Sequence, residues 1–159
     1  MKRIIFIIVC FLGLTFKAQS QNIAVGIHAG WAGHVNNGVI MGIPVGFNTE
    51  WAIDAKHSIG GLAHFSIGPR KLDPHIYYVS PTYKYYVTGT TLDGFYTGAF
   101  AGFGGGGGSG YISFGGLAGY SINISNKINL DTQLQLGYGH FVAIKRSVFH
   151  VIPTFGVRY

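Results

Sequence analysis

From Asn22 to Tyr159, apolar side chains recur at every second position, not at every third or fourth. A period of two is the mark of a β-strand with two unlike faces. It predicts eight strands: Asn22–Ala32, Val39–Trp51, Ser58–Gly68, Tyr77–Val87, Gly94–Gly104, Gly110–Asn123, Lys127–Phe141 and Val148–Tyr159. Turn-rich pieces such as "GHVNNG", "PRKLDPH", "TGTTLDG" and "GGGGS" separate them. The alternation is plainest in "KINLDTQLQLGYGHF". Ile128, Leu130, Leu134, Leu136 and Tyr138 share one face; Asn129, Asp131, Gln133, Gln135 and Gly137 share the other. The second strand sets Val39, Met41, Ile43, Val45, Phe47 and Trp51 against Gly42, Gly46, Asn48 and Glu50. The first sets Ile23, Val25, Ile27 and Trp31 against Gly26, His28 and Gly30.

Two architectures have one apolar and one polar face. A soluble barrel or sandwich turns the apolar face inward. A membrane barrel turns it outward into lipid. Three features favour the membrane. Segments near ten residues suit a tilted strand crossing hydrocarbon. An even strand number puts both ends of the chain on one side. Aromatic residues gather at the predicted strand ends, as amphipathic rings do at headgroup level. Phe47, Trp51, Tyr85, Phe95, Tyr120, Phe155 and Tyr159 fall at the end carrying the termini; Trp31, Phe65, Tyr77, Phe103, Tyr111, Tyr138 and Phe149 fall at the far end. The expected fold is all-β, an eight-stranded antiparallel up-and-down transmembrane β-barrel. Two details resist a regular wall. Pro44, Pro81 and Pro153 lie inside strands, where each predicts a bulge or a missing ladder bond. The fifth strand puts Tyr96 and Phe100 on one face and Phe95 and Phe103 on the other, so its facing stays open.

The N-terminus changes the composition. Lys2 and Arg3 precede an apolar run, Ile4–Phe16, and then "AQS". This is the pattern of a secretory signal peptide. Residues 1–20 are expected to be cleaved after Ser20, leaving residues 21–159 as one barrel domain. The run is shorter than the ~20 apolar residues of a spanning helix. Cys10 lies inside the run and not at its end, which argues against lipidation. The only cysteine leaves with the signal, and with it disulfide and thiolate chemistry. Eight basic and five acidic residues then remain, too small an excess to suggest nucleic-acid binding.

The chain resembles the small eight-stranded barrels of Gram-negative outer membranes, the OmpA-type transmembrane domain and the OmpX-like proteins. The likeness rests on the signal peptide, the strand count and the terminal "FGVRY". It implies that Phe155, Val157 and Tyr159 form the signal read by the barrel-assembly machinery. It also implies an outer-membrane location with both termini in the periplasm. The second, peptidoglycan-binding domain of full-length OmpA proteins has no counterpart here.

An eight-stranded barrel is just wide enough for side chains to fill. The inward charges predicted are Glu50, Lys84, Asp131 and Arg158, two acidic and two basic, all toward the terminus end. If the last hairpin turns about Ile144 and Lys145, Asp131 faces Arg158. Buried charges must pair, so an internal ion-pair network is expected, with a gated ion path as the functional alternative. "FGGGGGSG" lacks the lysine and helix of a phosphate loop. His28, His64 and His150 are expected to face inward at similar heights, but no ligand spacing supports a metal. "AHFSIG" pairs His64 with Ser66, as some outer-membrane lipid A deacylases do. With a hairpin turning near Asp54, however, Glu50 pairs with Ser58 and His64 lies opposite Pro44, so Glu50 stands ~20 Å from His64. Arg70, Lys71, Lys145 and Arg146 would meet lipopolysaccharide phosphates from the far-side loops.

The function expected is structural or interaction-based: a monomer among outer-membrane lipid and lipopolysaccharide, with a filled lumen and no cofactor, metal or nucleic-acid partner. The alternatives are a lipid A-modifying enzyme and a soluble periplasmic barrel holding an apolar ligand.

Overall fold

The computed structural model describes residues 23–35, 39–67, 76–106, 109–125, 127–143 and 145–159. The expected signal segment lies outside them. Among the described residues the chain is all strand and turn: β1 (Ile23–Gly30), β2 (Ala32–Val35), β3 (Val39–Ala52), β4 (His57–Ile67), β5 (Ile76–Tyr86), β6 (Gly94–Gly106), β7 (Ser109–Ser125), β8 (Ile128–Phe141) and β9 (Arg146–Arg158). From β3 to β9 each strand pairs antiparallel with the next, and β1 and β2 both pair with β3 on one side and β9 on the other. β1 and β2 are therefore two halves of one strand, and the ring closes with eight. Val25 and Tyr159 exchange both backbone hydrogen bonds, at 2.9 and 2.8 Å, so the two ends of the described chain sit together.

The division at Trp31 has a chemical cause. The Trp31 N–H donates to the Pro153 carbonyl at 3.0 Å, and proline has no N–H to return. On the other side, pairing with β3 lapses between Ala29↔Val45 and Ala32↔Gly42, the stretch containing Pro44. The β5–β6 ladder lapses in the same way beside Pro81, between Val79↔Phe103 and Thr82↔Phe100. The register is unchanged across each gap. All three prolines stay paired on their other side, with Ser66, Gly61 and Leu134. Each proline thus removes ladder bonds on one side without a bulge. The irregular step among the described pairs is at Asn123/Ser125, between β7 and β8.

Alternation sorts the side chains. Val45, Leu130, Leu134 and Val157 are exposed, while Asp131, Gln133, Gln135 and Arg158 are buried. This overturns the soluble alternative: the exposed wall is aliphatic and the interior is polar, as lipid requires. β6 keeps one register throughout, which settles its facing. Tyr96 and Phe100 point in; Phe95 and Phe103 point out. Most of the expected belt aromatics are exposed. Tyr111 is the exception: it is 3 % exposed, inside the barrel, and Ile112 and Phe114 take the outer positions. One step of parity at the start of β7 decides this, because Ser109, Tyr111 and Ser113 share the inner face.

Inward glycines make room for inward rings. A Cβ at Gly119 would strike the Tyr96 hydroxyl; one at Gly139 would strike Tyr111; one at Gly137 would strike Phe100 and His150. Small positions on one strand thus receive large ones from another, which is how a narrow barrel fills. Tyr78, Phe100, Tyr111, Phe141 and Val148 belong to this buried cluster.

Placing a cation on the lipid face of the wall tests its orientation. Leu134→Arg is expected to lower the unfolding free energy by ~2–4 kcal/mol, measured by reversible urea unfolding in lipid vesicles. A barrel with water outside would be nearly indifferent to this change.

Candidate functional site: a charge cluster in the lumen

Parity along four separate strands sends four charged side chains inward. Glu50 lies two residues before the end of β3, Lys84 two before the end of β5, Asp131 early in β8, and Arg158 at the end of β9. All four are buried. Lys84 Nζ lies 2.7 Å from Glu50 Oε2, and Arg158 Nη1 binds the same oxygen. Arg158 Nη2 lies 2.8 Å from Asp131 Oδ1. The four form one chain, Lys84–Glu50–Arg158–Asp131, in which the formal charges cancel.

Hydroxyls complete it. Ser58 and Tyr86 donate to Glu50 Oε1 at 2.7 and 2.6 Å. Tyr96 donates toward both Asp131 oxygens at 3.0 and 3.1 Å. The Lys84 ammonium stands 4.3 Å from the centroid of the Tyr96 ring. Arg158 Nη2 also donates to Ser121 Oγ at 2.6 Å, and Ser121 donates to the Leu92 carbonyl at 2.7 Å. That last bond ties the cluster to the turn between β5 and β6, where Leu92 has positive φ.

The register of two hairpins differs from the expected one by two residues. Asp131 registers with Gly156, and Arg158 with Asn129, so the guanidinium reaches its carboxylate diagonally. Glu50 registers with Gly60, and His64 with Gly46. The cause of the second shift is visible. The Asp54 carboxylate accepts the Lys56 and His57 backbone N–H groups at 2.7 and 2.8 Å, and Ile53 N–H bonds the His57 carbonyl. This centres the turn one residue later than Asp54. The turn is further tied to the next one: Lys56 Nζ donates to the Gly89 carbonyl, and Thr91 Oγ1 to the Asp54 carbonyl, at 2.8 and 2.6 Å.

The other candidate residues fall as follows. His64 and Ser66 face the lumen together and are buried. Glu50 is four residues along β3 from the partner of His64, ~13 Å, and both its oxygens are engaged. The arrangement does not assemble a hydrolytic triad. His28 and His64 lean together across Gly46, ring centroids 6.0 Å apart. His150 is not level with them, since β9 meets His28 at Gly156, six residues further on. It lies with Tyr111, at 3.0 Å, and Phe100. Among the described residues no three His, Cys, Asp or Glu gather as metal ligands.

Lys145 is exposed in the β8–β9 turn at positive φ, and Arg146 opens β9; Arg70 and Lys71 lie outside the described residues. Phe155 and Val157 face outward on β9, and Tyr159 is exposed just past its end. The glycine run is mostly strand: β6 reaches Gly106 and β7 begins at Ser109.

Ser58, Tyr86, Tyr96 and Ser121 were not among the sequence candidates. Tyr86 shares the parity of Lys84 two residues earlier, so it was within reach. Tyr96 sits on the strand whose facing was open.

No family model and no curated protein matches this sequence. Solved structures do match. The crystal structure of neisserial surface protein A, NspA, superposes with a TM-score of 0.66 at 18 % identity, over 86 % of this chain and 95 % of that one. The Yersinia pestis outer-membrane protein Ail, solved in a phospholipid bilayer nanodisc, superposes at 0.50 and 11 % identity, over 86 % and 99 %. With its closed ring of eight strands, the chain has the fold of a small outer-membrane β-barrel.

Two measurements test the site. Removing one member of a buried pair leaves a charge stranded. Arg158→Met and Glu50→Gln are each expected to cost ~3–5 kcal/mol in vesicle unfolding, with the double variant costing less than the sum. The second concerns Asp54, whose carboxyl is held below 3.8 by the N–H groups of Lys56 and His57. A depressed folded value means a contribution that is complete above the unfolded pKa and lost as pH falls through the folded one. Asp54→Ala should therefore be less stable than the parent at pH 7, and the difference should vanish once the pH drops below the folded value.

Proposed function

We propose that this is a monomeric outer-membrane protein of structural and interaction type, with a lumen closed to ion flow and no enzymatic activity. The observation that carries this reading is the neutral, hydrogen-bonded cluster around Arg158 and Glu50. It joins β3, β5, β8 and β9 across the interior, and rings fill the space beyond it. A conducting path would have to break buried ion pairs, each costly to part. The aliphatic exterior supports membrane residence, and the fold shared with an outer-membrane protein supports that membrane in particular.

Residues 1–20 then act as the export signal, and both termini face the periplasm. Phe155, Val157 and Tyr159 present the outward aromatic pattern to the barrel-assembly machinery. Arg70, Lys71, Lys145 and Arg146 meet lipopolysaccharide phosphates at the opposite rim, where charge favours the contact.

The test is electrical. Purified protein inserted in planar bilayers is expected to give no unitary conductance steps, while remaining in membranes washed with alkaline carbonate. Regular steps of fixed size would overturn the closed lumen, and release by carbonate would overturn the membrane assignment.

A further inference from the structure

The outer wall is uneven where β1, β3 and β9 meet. Ala29 stands in register between Phe155 of β9 and Val45 of β3, and its single methyl leaves a dip between two larger side chains. Ile27 stands between Val157 and Phe47 one outward position nearer the chain ends. Behind them the wall is thin, because Gly46 and Gly156 flank His28 in register and add no side chain. The result is an apolar groove of about 480 Å³ rimmed by Ile27, Val45, Phe47, Leu130, Phe155 and Val157. That volume falls within the ~300–1,000 Å³ of small-molecule sites.

One end of the groove points at a cation. Tyr159 is two residues past Val157, and Lys127 three before Leu130, which is ~7–10 Å along the strands. There the Lys127 ammonium stands 6.0 Å from the Tyr159 ring centroid, and both residues are exposed. Trp51, four residues from Phe47 on the same face, is exposed at this end too. Interfacial aromatics mark headgroup depth. The groove therefore runs from a positive charge at the headgroups toward the hydrocarbon, which suits a lipid with an anionic phosphate and a long acyl chain.

We propose that this groove is a seat for one glycerophospholipid from the leaflet on the chain-end side. One acyl chain lies over Ala29, and the phosphate pairs with Lys127. The inference rests on the membrane reading above and deepens it, setting this stretch of wall apart from the rest.

The test uses the full mature barrel folded in detergent, titrated with dioleoyl phosphatidylglycerol and observed by native mass spectrometry. One lipid per barrel is expected. Ala29→Phe fills the dip and should abolish the bound species, with Ala29→Leu reducing it in parallel should the larger ring impair folding. Lys127→Gln keeps the groove and should weaken retention ~5-fold, the effect of one cation at an anionic surface. Equal retention by the parent and both Ala29 variants would overturn the seat, as would a lipid-free dimer or no change with Lys127→Gln. A barrel that binds no lipid yet survives carbonate washing would sink this inference alone; a chain released by carbonate would sink the membrane reading with it.

Discussion

Inside hydrocarbon a backbone N–H or C=O has no water to turn to, so each must find its partner within the wall. A ring of antiparallel strands closed by β9 against β1 and β2 meets that demand. The three in-strand prolines show how tight the constraint is. Each gives up bonds toward one neighbour only and keeps its register with the other. Where Pro44 and Pro153 fall on opposite sides of the same strand, that strand is divided at Trp31. The ring nevertheless stays closed, because pairing resumes in the same register beyond the gap.

Closure at eight strands dictates the interior. A tube of eight strands is narrow enough for side chains to fill, so inward polar groups come within bonding reach of one another. Charge therefore comes in a balanced set, and hydroxyls from Ser58, Tyr86, Tyr96 and Ser121 bond to its carboxylates and guanidinium. Glycines opposite the large rings are the counterpart of this filling. Gly119 lies beneath Tyr96 and Gly139 beneath Tyr111. At the chain-end rim, side chains of Lys56 and Thr91 bind two turns together, and Ser121 joins the second turn to Arg158. The base of the barrel and its charge cluster are one connected structure, which is the physical ground for reading the lumen as closed.

Particular residues show how much of this could be read from the chain. Leu130, Leu134, Asp131 and Gln133 alternate so regularly that facing followed at once. The same alternation in β3 and β9 placed Glu50 and Arg158 inside. Tyr111 was misplaced because a glycine-rich lead-in carries no parity signal before it. The hairpin registers moved by two residues because turn geometry depends on local hydrogen bonds, such as those made by Asp54, that composition does not reveal. Slipping by two preserves facing, so the inward set survived the error while the opposing partners changed.

Along β3, β8 and β9 the sequence alone determined which side chains face lipid and which face the lumen, because a period of two leaves no freedom once a strand exists. In glycine-rich β6 and at the start of β7 the structure decided it. The sequence also determined that the inward charges balance. Only the closed tertiary structure decided which of them touch across the ring. Arg158 meets Asp131 across the β8–β9 hairpin, a local pairing the chain already suggests. It reaches Glu50 of β3 only because closure of the ring brings strands far apart in sequence together.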